Sequence, residues 1–184
     1  MGGVVLRNRR RVVSAAAATG LTFDSERHEY TLAGRVLPSV TQILGRVLPG
    51  WQASEWYLQR GRALHHGCRL LDEGTLDWST VSPEIEPRIR AWEKFRADWP
   101  AKALKIEWPM VHLILHFAGT CDRIFEREGK IIIADLKSSL APQVRVQLGF
   151  YSLLWQANGD DRRAHQAVAV ELRDDATYTT LWLD

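Results

Sequence analysis

Cysteine is scarce in this chain, which has 184 residues and only two cysteines, Cys68 and Cys121. They lie far apart and form no C-x-x-C pattern, so we expect no structural zinc site and no iron–sulfur cluster. Free thiols in a reducing compartment are the default for such a pattern. Long apolar runs are also missing, since no stretch approaches the roughly 20 residues that cross a bilayer. We therefore expect no membrane partner.

Acidic residues are absent from residues 1–20, which carry four arginines between residues 7 and 11 ahead of an alanine run at 15–18. This pattern predicts a basic, flexible arm that contacts nucleic acid. An organelle transit peptide has the same composition and stays open as the alternative, with an organellar location. Residues 21–184 are predicted to form a single domain, which is an ordinary length for one core.

Lysine is rare as well. The chain has 19 arginines and 5 lysines, and its net charge is only +2. Arginine binds phosphate in a bidentate fashion, so the bias favours a phosphate-bearing partner, while GC-rich coding would produce the same bias. The eight tryptophans could stack on bases, but we expect most of them to fill the core.

A hairpin is the most informative element of the sequence. Two apolar runs at 119–127 and 130–137 flank Glu128-Gly129, and a Gly-centred break between such runs is a hairpin signal. A two-residue turn would pair Arg127 with Lys130, so that the numbers of paired residues sum to 257. A bulge or a longer loop would shift this register by one residue.

Two acidic residues and one lysine become neighbours in that register. Asp122 and Asp135 would lie directly opposite each other, and Lys137, two residues on, would share the face of Asp135. Carboxylates that close repel unless a cation lies between them, which indicates a divalent-metal site. An Asp-x-Lys tripeptide is often only a solvated surface pair, but the apolar run at 131–136 favours a buried strand.

The remaining pattern predicts an α/β fold, with a mixed central β-sheet flanked by helices and a helical N-terminal portion. Expected strands lie at about 21–24, 28–32, 103–112, 115–126, 165–173 and 177–183, and expected helices at Ser39–Leu44, Ser54 to about Leu71, about 83–98 and Pro142–Asn158, with breaks at Pro49-Gly50 and Gly159.

Further polar side chains are expected near the hairpin. Gln147 and Tyr151 share a helix face because they are four residues apart, and so do Gly61 and His65. Glycine at 61 would let a backbone or a phosphate approach closely, and His65 could supply an imidazole ligand. Glu107 on the preceding strand could project toward the same place. Each has a plainer interpretation: a polar helix edge for the glutamine and tyrosine, a surface histidine, and an exposed strand glutamate.

Four short motifs in this order resemble those of RecB-like nucleases in the PD-(D/E)XK superfamily. They are Gly61-x-x-x-His65, Gly119-Thr-x-Asp122, Asp135-x-Lys137 and Gln147-x-x-x-Tyr151, and Leu37–Leu44 looks like the opening segment of phage-type single-domain members.

The resemblance implies a restriction-endonuclease-like core. It also implies Mg²⁺ or Mn²⁺ held by Asp122, Asp135, the Leu136 carbonyl and His65, with Lys137 as the catalytic lysine. The four cysteines of the cluster-bearing branch and a G-x-x-x-x-G-K-[ST] motor loop are both absent, so neither a cluster nor a helicase activity is carried over.

The resulting expectation is a metal-dependent deoxyribonuclease in the cytoplasm of a bacterium or a phage-infected host. We expect an exonuclease acting on a DNA duplex end or single strand in recombination or repair, with Gln147 and Tyr151 completing the catalytic set. Arg62, Arg69 and Arg145 are candidate phosphate contacts, unless they form a solvated helix face. A structure-specific or restriction-type endonuclease, and a non-catalytic nucleic-acid-binding protein on the same scaffold, remain alternatives; the oligomeric state stays unknown.

Overall fold

The computed structural model describes residues 20–25, 27–48, 55–158 and 164–184. Four features predicted from the sequence lie outside these residues: the basic arm up to residue 19, the Pro49-Gly50 break, the Ser54 cap and Gly159. Within the described ranges, every helix is too short or too polar to cross a bilayer.

The described residues form eight strands and four α-helices. The strands are β1 (Leu21–Asp24), β2 (Glu29–Leu32), β3 (Arg35–Leu37), β4 (Lys102–His112), β5 (Phe117–Arg127), β6 (Lys130–Lys137), β7 (Ala164–Leu172) and β8 (Tyr178–Leu183). The helices are α1 (Val40–Val47), α2 (Glu55–Asp72), α3 (Glu86–Asp98) and α4 (Gln143–Asn158), with a 3-10 turn at Trp78–Thr80.

A small antiparallel sheet of β1, β2 and β3 opens the fold. The sequence predicted its first hairpin but not β3, whose Leu37 pairs with Tyr30. Three residues are too few to display the alternation by which a strand is recognised. The next helix, α1, begins as predicted at Ser39, whose hydroxyl accepts from the Gln42 amide in a capping box.

The central sheet has the order β4-β5-β6-β7-β8. Strands β6 and β7 run parallel, with α4 as the crossover between them, and the other neighbours are antiparallel. The predicted mixed sheet is therefore confirmed.

The β5–β6 hairpin has the predicted register. Arg127 pairs with Lys130, and the ladder continues to Arg123 and Ala134 with the same sum. Both turn residues have positive φ, 52° at Glu128 and 73° at Gly129, as a type I′ turn requires. A two-residue turn thus fixes which residues of the two strands meet.

Two hydrophobic cores lie on opposite faces of this sheet, because alternate residues of β6 enter different cores. Ile131 and Ile133 pack with α1 and α4, whereas Ile132 and Ala134 pack with α2 and α3. Trp92 and Trp155 are buried, and most other described tryptophans pack partly buried against the cores.

Candidate active site

Asp122 lies where the β5–β6 ladder ends, since Arg123 and Ala134 form its last pair. The turn register predicted that Asp122 would face Asp135 in a regular pair, but the pairing ends one residue earlier. Asp122 instead accepts a hydrogen bond through Oδ2 from the Leu136 amide at 2.7 Å. Its other oxygen, Oδ1, lies 3.1 Å from His65 Nδ1. The buried carboxylate thereby joins β5 to both β6 and α2.

The charge state of Asp122 follows from these contacts. Burial raises the pKa of the carboxyl, but the charge and hydrogen bond of His65, the charge of Lys137 and the Leu136 amide lower it more. The pKa of Asp122 therefore falls below its ordinary value, and the group is an anion at neutral pH.

His65 approaches the sheet from α2, as the sequence suggested. Burial lowers the pKa of its imidazole, yet the charge and hydrogen bond of Asp122 raise it by more, so the net pKa is raised. About a third of the side chain, 32%, remains exposed, so the imidazole is within reach of a ligand that enters from solvent.

Asp135 is only 1% exposed, and its Oδ2 contacts the ammonium of Lys137. Burial and the charge of Asp122 raise the pKa of Asp135 to about 6, although Lys137 opposes the shift. Lys137 therefore does not fully offset the effect of burial and of the Asp122 charge on Asp135. A bound cation would stabilise the charged form of this carboxyl. Lys137 keeps 17% of its side chain exposed.

Glu107 lies on β4 across from Asp122, between the pairs Ile106–Arg123 and Trp108–Cys121. Its φ of 46° is rare for a non-glycine residue inside a strand and marks local backbone strain, which clusters at functional sites. Burial and the charge of Asp122 raise the pKa of Glu107. It is half-buried beside the acidic pair, so the plainer interpretation as an exposed strand residue is wrong.

Gln147 and Tyr151 lie side by side on α4, and both are buried. Gln147 Nε2 donates to Tyr151 Oη at 3.0 Å, while within the described residues Gln147 Oε1 has no hydrogen-bond partner. Burial and the charges of Asp135 and Asp122 raise the pKa of Tyr151. The pair therefore borders the carboxylates and retains one unused acceptor.

The three arginines suggested as phosphate contacts are not brought together. Arg62 is exposed on α2, and Arg145 is exposed in the first turn of α4. Arg69 is largely buried on α2, with Nε 3.7 Å from Glu73 Oε1, and its charge acts on Glu107.

Two buried residues next to Asp122 were not expected from the sequence, Arg123 and Asp72. Arg123 is fully buried, and its Nε donates to Asp72 Oδ2 at 2.6 Å. The one available signal was an arginine directly before the apolar pair Ile124-Phe125. Arginine is almost never buried unless it is paired, and its partner lies 51 residues away.

The residues suit a hard divalent cation by their chemistry, because two buried carboxylates and a strand-end carbonyl at Leu136 are oxygen donors. In the described part of the chain, however, no three His, Cys, Asp or Glu side chains already surround one point. His65 and Asp122 contact each other, and Asp135 contacts Lys137. A bound cation would replace the contact of His65 with Asp122 and the contact of Lys137 with Asp135.

Residues 24–181 match the family model of the PD-(D/E)XK nuclease superfamily. No curated protein sequence matches the chain.

Two similar solved structures are LHK-Exo in complex with dAMP and an alkaline exonuclease (LHK-Exo) from Laribacter hongkongensis. The first is 13% identical with a TM-score of 0.44, covering 80% of this chain and 76% of that one. The second is 12% identical with a TM-score of 0.41, covering 79% and 75%. Because the family model spans most of the sequence, this chain belongs to the PD-(D/E)XK nuclease superfamily.

Proposed function

We propose that this protein hydrolyses phosphodiester bonds of DNA with Mg²⁺ or Mn²⁺, as an exonuclease. The observation that carries the proposal is the meeting of Asp122, Asp135 and Lys137 where the pairing of β5 with β6 ends, with His65 contacting Asp122 from α2. Two buried carboxyls that repel each other are costly to stability, so a purely structural role does not explain them.

Asp122, Asp135, the Leu136 carbonyl and His65 would hold the cation, and Glu107 is a further candidate ligand. When bound, the cation supplies Lewis acidity that favours attack by water and offsets charge on the phosphate. The oxygen-rich donor set favours Mg²⁺ or Mn²⁺ over zinc.

Lys137 would orient the attacking water or stabilise charge on a phosphate oxygen, since its side chain is partly exposed and its ammonium contacts Asp135. Gln147 would position the substrate through its unused Oε1, and the hydrogen bond to Tyr151 fixes the orientation of its amide group. Positioning of this kind contributes to catalysis by restricting the reactants to a productive geometry.

Arg62 and Arg145, both exposed, are the better candidates for contacts with the DNA backbone. Arg69 would act mainly by balancing the acidic residues, because it is already close to Glu73. Contacts with phosphate fix where the substrate lies without reading its sequence.

The test uses end-labelled linear DNA and covalently closed circular DNA, each with Mg²⁺, with Mn²⁺ and with a chelator. We expect metal-dependent degradation of the linear DNA while the circle persists. Nicking of the circle would replace the exonuclease with an endonuclease of the same chemistry. DNA binding that survives chelation, with no turnover in either metal, would show a binding protein on a nuclease scaffold.

A further inference from the structure

We infer that the buried Asp72–Arg123 ion pair is a positioning device for Asp122, and that its functional meaning rests on the function proposed above. Arg123 has no exposed surface, and Asp72 has 4% of its side chain exposed. The Arg123 guanidinium donates from Nε to Asp72 Oδ2 and from Nη1 to the backbone carbonyl of Asp122, each at 2.6 Å.

The backbone of Asp122 needs such support because neither neighbouring strand pairs with it. Its ladder with β6 stops at Arg123. On its other side, β5 pairs with β4 through Cys121–Trp108 and Arg123–Ile106. Between these two pairs, Asp122 and Glu107 are not paired. The guanidinium therefore supplies the donor that a regular sheet would have provided to the Asp122 carbonyl.

The pair also fixes α2 along β5. His65 and Asp72 are seven residues apart on α2, which places them on one helix face two turns apart. Their partners on β5 are the consecutive residues Asp122 and Arg123. These two contacts lie two turns apart on α2 but next to each other on β5. Together they fix the position of α2 along its axis and its rotation, and so place His65 against Asp122.

Stability alone is a weak reason for this arrangement, because well-packed hydrophobic residues often replace a buried ion pair without loss. Asp72 is also supported without Arg123: Trp92 Nε1 donates to it at 3.0 Å, and Arg96 Nε lies 3.3 Å away. What Arg123 adds, and Arg96 does not, is the bond to the Asp122 carbonyl.

That difference provides matched variants. Arg123→Met and Arg96→Met each remove one guanidinium from Asp72, but only the first removes the donor to Asp122. The readout is hydrogen exchange of the Leu136 amide, which donates to the Asp122 carboxylate, in protein free of metal and DNA. The amide of Ile132, within the paired ladder of the same strand, corrects for any change in global stability.

In Arg123→Met we expect exchange at Leu136, relative to Ile132, to rise at least about tenfold, and in Arg96→Met to change less than about twofold. Equal ratios in the two variants would overturn the inference. Should Arg123→Met fail to fold, Arg123→Lys serves the same purpose: a lysine keeps a charge beside Asp72 but has no planar fork to span both acceptors. Its Leu136 ratio should also rise, and an unchanged ratio would count against the inference.

A second measurement tests whether the positioning of Asp122 by Arg123 affects catalysis. With Mg²⁺, the folded Arg123 variant should lose kcat by at least about tenfold while KM for DNA stays within about twofold, as for a group acting only in the chemical step. A normal kcat would show that the pair is structural only. If the wild type cleaves no nucleic acid, the proposed function fails, yet the exchange ratio still decides whether Arg123 positions Asp122.

Discussion

Asp122 and Asp135 are both buried carboxyls, yet their surroundings shift their pKa values in opposite directions. Burial disfavours the charged form of each. Asp122 has His65 and the Leu136 amide as compensation, so its pKa falls. At Asp135 the burial and the neighbouring charge of Asp122 outweigh the opposing charges of Lys137 and His65, so its pKa rises to about 6. The cation would thus be needed most beside Asp135.

Substitution of the acidic pair and the lysine is the first prediction. Asp122→Asn, Asp135→Asn and Lys137→Ala should each reduce Mg²⁺-dependent cleavage by at least about a thousandfold, since each removes a charge worth several kcal/mol to the reaction. Asparagine at 122 can still accept from the Leu136 amide, so folding should persist. Cleavage rates and circular dichroism check this, and wild-type-like cleavage by two of the three variants would end the nuclease hypothesis.

At the level of elements, α2 presents a glycine beside the site. Gly61 lies one turn before His65 on the same face, and an added Cβ there would meet nothing within 4 Å. Gly149 on α4 also faces open space, two residues from Gln147 and on the opposite side of its helix. These two positions form a natural pair of test and control.

We expect Gly61→Ala and Gly149→Ala each to stabilise the protein by up to about 1 kcal/mol, because alanine favours a helix over glycine. Only Gly61→Ala should weaken DNA binding, by about threefold to tenfold, since its methyl group occupies the approach to His65. Chemical denaturation and fluorescence anisotropy measure the two effects. Equal DNA affinities for both variants would mean that the substrate does not reach this part of α2.

A charged cluster away from the site joins three elements. Asp174, in the turn between β7 and β8, accepts from Arg60 on α2 and from both Nε and Nη2 of Arg88 on α3, at 2.6–2.9 Å. The hydrogen bond from Arg88 lowers the pKa of Asp174 to about 2. Because the folded-state pKa is depressed, the contribution to stability is present above about pH 4 and is lost as pH falls toward 2.

Asp174→Asn should therefore lower the free energy of unfolding at pH 7 by no more than about 1 kcal/mol, since the carboxylate is exposed and screened by solvent. The difference from the wild type should shrink as pH falls from 4 to 2. Denaturation at several pH values measures it. In an Arg88→Met background the pH-dependent difference should largely disappear, and a difference that persists there would contradict the assigned partner.

On the scale of the whole molecule, the sequence predicted contacts between residues that are near each other in the chain better than contacts between distant ones. The turn at Glu128-Gly129 fixes the register of its own hairpin, so the approach of Asp122 to β6 followed from neighbouring residues. Arg123 and Asp72 meet across 51 residues, and no local periodicity reports such a pair. Strand β3 was missed for the opposite reason, because it is too short to carry a pattern.

Metal binding should be visible in the stability of the whole domain. A cation that binds only the folded state at a hundred times its Kd adds about 2.7 kcal/mol, or roughly 5–10 °C in Tm at this size. We expect Mn²⁺ to raise Tm, EDTA to reverse the rise, and Gly149→Ala to retain it. His65→Ala should fold but show a smaller rise. A full rise in Asp122→Asn would place the cation elsewhere.

The parallel pairing of β6 with β7 bears on when, during synthesis, the acidic pair becomes buried. Parallel neighbours need a long crossover, here through α4, so β6 gains its second partner only after the segment up to Leu172 has left the ribosome. At about 5–20 residues per second this delay is on the order of seconds. The nascent hairpin can bring Asp122 and Asp135 together, but Gln147 and Tyr151 are not yet packed over it. Under the proposed function, the chain would therefore gain its activity only after α4 and β7 have packed onto the hairpin.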